Sequence, residues 1–261
     1  MNPPIIVNFT TTPERVAYIQ PMLESLKNQT LSGFKTILWL SNFYKRSGRS
    51  MNKKDVPVFI HSYDVEVRFT EDYGSNTKLL PALKAFKDPN SILLTVDDDT
   101  CYPPDWLKGL IKATKTDSSK AYGYRAKVFQ RRFLKFPFIK QRPLKPLNYN
   151  YSETIILTDP TASISVDILT GVWGICYRRS FFNDDYFNLN SCKPAHHNDD
   201  IWANGHLARN QVERICLGLE GSFQDIDMES LGIRRLWDSV NNGKGLNNKV
   251  LKYFKDDFKA P

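Results

Sequence analysis

The most strand-like run in the chain is Ser91-Ile92-Leu93-Leu94-Thr95-Val96-Asp97-Asp98-Asp99. From Ile92 to Val96 it is apolar or β-branched without alternation, the pattern of a strand buried on both faces, and it stops abruptly at three acids. Such strands belong to mainly parallel sheets covered by helices. Upstream, Ile5 to Phe9 is a second short apolar run ending in Thr10-Thr11-Thr12-Pro13, which predicts a helix start with Thr as cap and Pro in the first turn. Val16, Ile19, Leu23 and Leu26 continue that helix from Glu14 to Asn28. Lys35 to Leu40 reads as a strand, Val65 to Phe69 alternates as a half-exposed one, and Lys78 to Phe86 is helical by spacing. Beyond Cys101 the alternation loosens. Pro103-Pro104-Asp105 opens a helix through Trp106, Leu107, Leu110 and Ile111. Leu169 to Tyr177 reads as a glycine-marked strand, Ile201 to Asn210 as a helix and Arg214 to Leu219 as a last strand, and the C-terminal tail specifies little. With no repeat and no low-complexity linker, the expectation is an α/β chain whose residues 1–261 form a single domain.

The three acids are the sharpest chemical feature. Ligands of open α/β sheets bind at the carboxyl ends of strands, where adjacent carboxylates repel one another unless a cation joins them. Alternation points Asp97 and Asp99 to one side, able to share a divalent ion, and turns Asp98 away. Oxygen-only ligation suits Mg²⁺ or Mn²⁺, which keep waters and take substrate phosphates. A solvated acidic turn is the plain alternative. A second pair, Asp199-Asp200, stands at a predicted helix start, where a carboxylate serves as a cap or as a general base for a hydroxyl proton.

Other side chains offer to complete a site around a phosphorylated ligand. Lys78 follows Tyr73-Gly74-Ser75-Asn76-Thr77, where an ammonium and backbone N–H groups hold an anion. Gly171-Val172-Trp173-Gly174 would let a flat ring approach the backbone with Trp173 as a stacking wall, unless Trp173 is simply core. Among His196, His197 and His206, the last is the foremost candidate metal ligand, although a solitary histidine is more often structural.

Composition bounds the partners. The chain has 36 Lys and Arg against 28 Asp and Glu, a net charge of +8. Eight of those bases and no acid lie between Arg125 and Lys145, so the rest of the chain is neutral and the surplus is confined to that segment. Its proline content predicts loop rather than helix. Phenylalanines interleave there with the bases, which fits an acceptor-side loop, contact with anionic lipid headgroups, or plain solvation. Four separated cysteines without a CxxC indicate buried free thiols rather than zinc or redox chemistry. No signal sequence and no membrane-length apolar run is evident, which predicts a cytoplasmic chain, peripheral to the membrane if the basic segment touches it.

Taken in order, the motifs resemble nucleotide-sugar glycosyltransferases of the GT-A fold, family-2-like enzymes of bacterial and viral polysaccharide synthesis. The residues that carry the resemblance are Ile6 to Arg15, Ser25 to Thr30, Ile37 to Ser41, Lys78 to Leu83, Leu94 to Asp99 with Tyr102 to Leu107, Thr170 to Gly174, and Asp199 to Trp202. The resemblance implies a Rossmann-like sheet, with residues from about 1 to 107 binding nucleotide and about 108 to 261 binding acceptor. It implies that Asp97 to Asp99 are a DxD motif, Asp99 holding Mn²⁺ or Mg²⁺ against the donor diphosphate and Asp97 lying nearer the ribose. Thr10, Thr11 and Arg15 would border the base, Lys78 the nucleoside or phosphates, and Gly171, Trp173 and Gly174 the sugar and acceptor pocket. Asp200 would deprotonate a hydroxyl of a glycan or lipid-linked acceptor in an inverting displacement. The Asp199-Asp200 pair departs from the Glu-Asp of many relatives and leaves the base residue open between the two. Gln-x-x-Arg-Trp of processive synthases is absent, Ile233-Arg234-Arg235-Leu236-Trp237 being the nearest stretch, which implies single additions rather than polymerisation.

Two rival readings differ in class. Asp97-Asp98-Asp99-Thr100 after a strand also fits the nucleophile motif of haloacid-dehalogenase-like phosphatases, but that motif ends the first core strand, and here several βα units precede it. A non-enzymatic binder of nucleic acid or anionic surfaces would rest on residues 125–145, yet no recognition motif for DNA or RNA accompanies them.

Overall fold

The computed structural model describes residues 3–129, 148, 152–233 and 245–258. The strands predicted as fully buried occupy the centre of an 8-stranded sheet. β1 (Ile5–Thr10) pairs in parallel with β2 (Lys35–Ser41) on one side and β6 (Ile92–Thr95) on the other, and β5 (Val65–Thr70) extends the parallel run beyond β2. A small hairpin of β3 (Phe43–Tyr44) and β4 (Arg49–Ser50) follows β2. Period-two alternation sends Ile6, Ile37, Trp39 and Leu93 to one core and Val7, Phe9, Leu38, Leu40 and Leu94 to the other. Each fully buried side chain of this kind contributes about 1.5–3 kcal/mol. Helices α1 (Gln20–Lys27) and α3 (Trp106–Thr116) cover the second core, while α2 (Leu80–Ala85), α4 (Asp199–Arg209) and α5 (Leu246–Tyr253) cover the first.

The sheet continues through later strands. β13 (Ile175–Arg178) runs antiparallel to β6 and to β8 (Ala121–Gly123), β14 (Arg214–Leu217) is parallel to β8, and β11 (Ser163–Ser165) closes the edge antiparallel to β14. A 3-stranded sheet of β10 (Ser152–Ile156), β9 (Arg125–Phe129) and β12 (Ile168–Leu169) stands beside it, and β15 (Gln224–Asp225) pairs with β7 (Thr100–Cys101). Cys176, Cys192 and Cys216 are buried free thiols and Cys101 is half-buried. Among the described residues no helix is long and apolar enough to cross a membrane.

Four local expectations need correction. The helix expected over residues 14–28 is broken: a 3-10 turn at Val16–Tyr18 precedes α1, whose Pro21 lacks the N–H needed anywhere but the first turn. Pro81 limits α2 in the same way, so Lys78 ends a 3-10 turn, Gly74–Lys78, instead of opening an α-helix. The start of the basic segment is strand β9 rather than loop, while residues 130–145 lie outside the described residues. Leu169 to Tyr177 is not one strand: Gly171–Trp173 is a 3-10 turn between β12 and β13, and the φ of +79° at Gly174 reverses the chain there. The tail carries α5, and Phe254 just past its end packs on Trp202 and His206 of α4.

Candidate active site

The carboxyl ends of β1 and β6 open into a cleft of about 1810 Å³. Asp97, Asp98 and Asp99 enter it directly after β6, and each is met by a cation or a hydroxyl from elsewhere. Arg15, swung back by the turn after Thr12, places Nη2 2.7 Å from Asp98 Oδ1 and 2.7 Å from Asp99 Oδ2. Thr11 Oγ1 donates to Asp98 Oδ2 at 2.6 Å. Burial raises the Asp98 carboxyl to about 6 against the pull of Arg15. The Arg15 guanidinium is itself opposed by burial, but Asp98 and Asp99 lift it above its ordinary value. Thr10 lines the same wall, its hydroxyl donating to Trp39 O at 2.8 Å. The pairing differs from the one alternation suggested: Asp98 and Asp99 share Arg15, and Asp97 is drawn to the other side of the cleft.

There it meets Lys78. The buried ammonium lies 2.6 Å from Asp97 Oδ1 and 2.7 Å from Asp199 Oδ2, joining the end of β6 to the first turn of α4. Burial opposes that charge, yet Asp199, Asp97 and Asp200 together hold Lys78 well above the ordinary lysine range. The turn carrying Lys78 is fastened to α4 and to the 3-10 segment before it: Ser75 Oγ accepts from Asp199 N at 3.2 Å, and Asn76 Nδ2 donates to Ala195 O at 2.7 Å. Neither acid of the pair is the helix cap, a position that falls to Asn198. Asp200 faces Gly171, whose Cα stands so close that a Cβ would come within 2.6 Å of Asp200 Oδ1 and 3.1 Å of Lys78 Nζ. Burial first and the neighbouring Asp199 second push the Asp200 carboxyl up to about 7, against the attraction of Lys78. A carboxylate that takes a proton near neutrality is matched to general-base work.

Trp173 lines the cleft, stacked on Phe223 at 4.4 Å between ring centroids and 7° between planes. Gly174 stands behind that wall, where a Cβ would come within 2.5 Å of the Trp106 ring. Trp106 Nε1 in turn donates to Trp173 O at 2.9 Å. His196 and His197 line the cleft, but His206 does not reach it: it is buried among the rings of Tyr186, Trp202 and Phe254, and burial lowers it to about 3. A neutral imidazole in an aromatic core has no route to an ion held at Asp99. Among the described residues no three His, Cys, Asp or Glu side chains gather to hold a metal. Asp99 beside Arg15 and Asp97 beside Lys78 each offer the carboxylate oxygens that suit a hard divalent ion bound through one or two carboxylates and substrate phosphates.

Sequence reasoning missed Tyr102 as a clamp: its hydroxyl accepts from Asp97 N at 2.9 Å and donates to Val172 O at 3.4 Å, tying the acids to the Trp173 turn. It also missed Phe223, for which no local pattern exists, and Arg46, which the β3–β4 hairpin brings to the cleft beside Arg15.

A mixed, mainly parallel sheet with acids at the end of its central strand and a second acidic pair facing them is the GT-A architecture of glycosyltransferases. The model of glycosyl transferase family 2 matches residues 8–173, and the chain belongs to that family. The match ends before Asp199 and Asp200, and it leaves the phosphatase reading without support. No curated protein sequence matches the chain. S. aureus TarS 1–349 in complex with UDP-GlcNAc is similar in structure, with a TM-score of 0.58 at 13% identity over 97% of this chain and 66% of that one. The same protein in complex with UDP gives a TM-score of 0.52 at 16% identity over 84% and 59%. At these identities the likeness is one of fold, and the chain spans less than two thirds of either solved chain.

Proposed function

We propose that this chain transfers a sugar from a nucleotide-diphosphate sugar to a hydroxyl of a glycan or lipid-linked acceptor, with inversion at the anomeric carbon. The observation that carries the reading is the Lys78 bridge, which ties Asp97 at the end of β6 to Asp199 in the first turn of α4 within one cleft, next to an Asp200 carboxyl raised to about 7. UDP and UDP-GlcNAc, the ligands of the TarS structures, make uridine diphosphate sugars the first donors to try. In the reaction Asp200 accepts the acceptor's hydroxyl proton, the oxygen bonds to the anomeric carbon from the opposite face, and the bond to the diphosphate oxygen breaks. Lys78 and Arg15 hold the carboxylates in register and keep the cleft from becoming strongly negative before an anionic donor arrives. Mn²⁺ or Mg²⁺ would be held by Asp99 and Asp97, and when bound would supply charge neutralisation for the leaving diphosphate.

The basic segment enters this reading on the acceptor side, with contact to anionic membrane surfaces as a further role for residues 130–145, which lie outside the described residues together with 234–244. The nucleotide reading applies to Thr10, Thr11, Arg15 and Lys78, and the acceptor reading to Gly171, Trp173 and Gly174. A panel of nucleotide sugars, incubated with an acceptor mixture and with Mn²⁺ or a chelator, tests the proposal. Release of nucleoside diphosphate from one donor with formation of a product of opposite anomeric configuration is expected. Retained configuration, or release of orthophosphate alone, contradicts it.

A further inference from the structure

Two bases on β9 have no part in the chemistry above. Strand alternation puts Arg125 and Lys127 on one face and the buried Ala126 and Val128 on the other, and both bases line the cleft. Arg125 is tied to the segment that shapes the base. Its carbonyl accepts from Thr170 N at 2.9 Å and its Nη1 donates to Thr170 Oγ1 at 3.3 Å. The next residue, Gly171, is the one whose Cα stands against Asp200. Among the described residues no ion pair joins Arg125 to a carboxylate, while Asp97 and Asp199 of the same cleft are held by Lys78. Lys127 is half-buried alongside, and burial together with the Arg125 charge pushes its ammonium down. Two cations on adjacent same-face positions repel, and an oxyanion set against both relieves the repulsion while offering the guanidinium a charge-assisted, two-pronged partner. The diphosphate side of the cleft is served by Arg15 and Lys78, so an anion at Arg125 belongs to the molecule that presents its hydroxyl to Asp200.

We infer that the acceptor is anionic, carrying a phosphate or carboxylate that Arg125 and Lys127 receive while its hydroxyl lies at Asp200. This rests on the transferase reading and names the acceptor's chemical class. The test needs no turnover. Labelled gluco-oligosaccharides in three forms, neutral, phosphorylated and with uronic acid replacing glucose, are titrated against the full chain in saturating UDP. Binding is read by fluorescence anisotropy, and UDP affinity is measured in the same samples. Wild type is expected to hold at least one charged form about tenfold more tightly than the neutral one, since hydrogen bonds to charged groups reach that size. Arg125→Gln should erase the preference, Arg125→Lys should keep part of it, and UDP affinity should be alike in all three proteins. Which charged form wins separates phosphate from carboxylate. Equal binding of the three forms by wild type, or a preference that survives Arg125→Gln, overturns the inference. A charge preference without UDP binding instead strikes the transferase reading, which keeps the two failures apart.

Discussion

In the proposed reaction Asp200 and Gly171 are the residues on which the chemistry turns. With no side chain, Gly171 lets its backbone stand against the Asp200 carboxylate, and a methyl group there would come within 2.6 Å of Oδ1. Gly171→Ala should therefore displace the base: the expected outcome is a fall in kcat of about 10²-fold or more with nucleotide affinity unchanged, measured by turnover and by nucleotide titration. Asp200→Asn should raise thermal stability at pH 8 and leave it nearly unchanged at pH 4. The carboxyl rises from its ordinary value to about 7 on folding, so its protonated form suits the fold. That contribution is present below the unfolded value and is lost as pH rises through 7, which leaves a buried charge at pH 8 that asparagine avoids. Scanning calorimetry at the two pH values checks it. At this scale much of the site was legible: acids after an apolar strand, and a second acidic pair. What was not legible is the pairing. The bridge from Lys78 to Asp97 and Asp199 joins residues over a hundred positions apart, and only the fold sets that separation.

At the level of elements, α4 is the piece that brings the second acidic pair to the first. Its buried Asn204 accepts from Leu169 N at 2.9 Å and donates to Leu169 O at 2.8 Å and Asp200 O at 2.7 Å, stitching α4 to β12. Asn204→Ala leaves those groups without partners and should cost about 2–4 kcal/mol in urea unfolding, with activity reduced in the fraction that folds. His206, two residues along, sits at about 3 in the folded chain against an ordinary 6.5. The unfolded chain takes up that proton first, so stability is complete above pH 6.5 and declines as pH falls toward 3. The urea midpoint should drop across that window, and less so in His206→Phe. Periodicity predicted the helix over 201–210, and His206 stood as a candidate metal ligand beside the plainer structural reading. A histidine pattern cannot tell a cleft-facing imidazole from one turned into the rings of Tyr186, Trp202 and Phe254. Pro21 and Pro81, by contrast, were readable signals that should have shortened two predicted helices.

Across the whole molecule, the eight-stranded sheet joins the early βα units to strands whose sequence gave weaker signals. β1, β2 and β6 announced themselves because both faces are buried. β9 to β12 did not: β9 is buried on one face only, β10 and β11 are largely exposed and β12 is two residues long, so their identity depends on partners distant in the chain. The +8 charge likewise resolves into a local feature. Arg125 and Lys127, the first bases of the surplus segment, face the cleft on the side of Asp200 rather than a distant surface. The central claim is that Asp200 takes the acceptor proton in a cleft that Lys78 holds together. The most direct test is the pH dependence of nucleoside diphosphate release, with the donor selected from the panel, in wild type and Asp200→Asn. The expected result is a wild-type rate that falls below a midpoint near pH 7, as the carboxyl at about 7 becomes protonated, and a variant that binds nucleotide normally, lacks that acidic limb and is slower by about 10²–10⁴-fold above pH 7. An Asp200→Asn protein that turns over at the wild-type rate, or that keeps the same acidic limb, would contradict it.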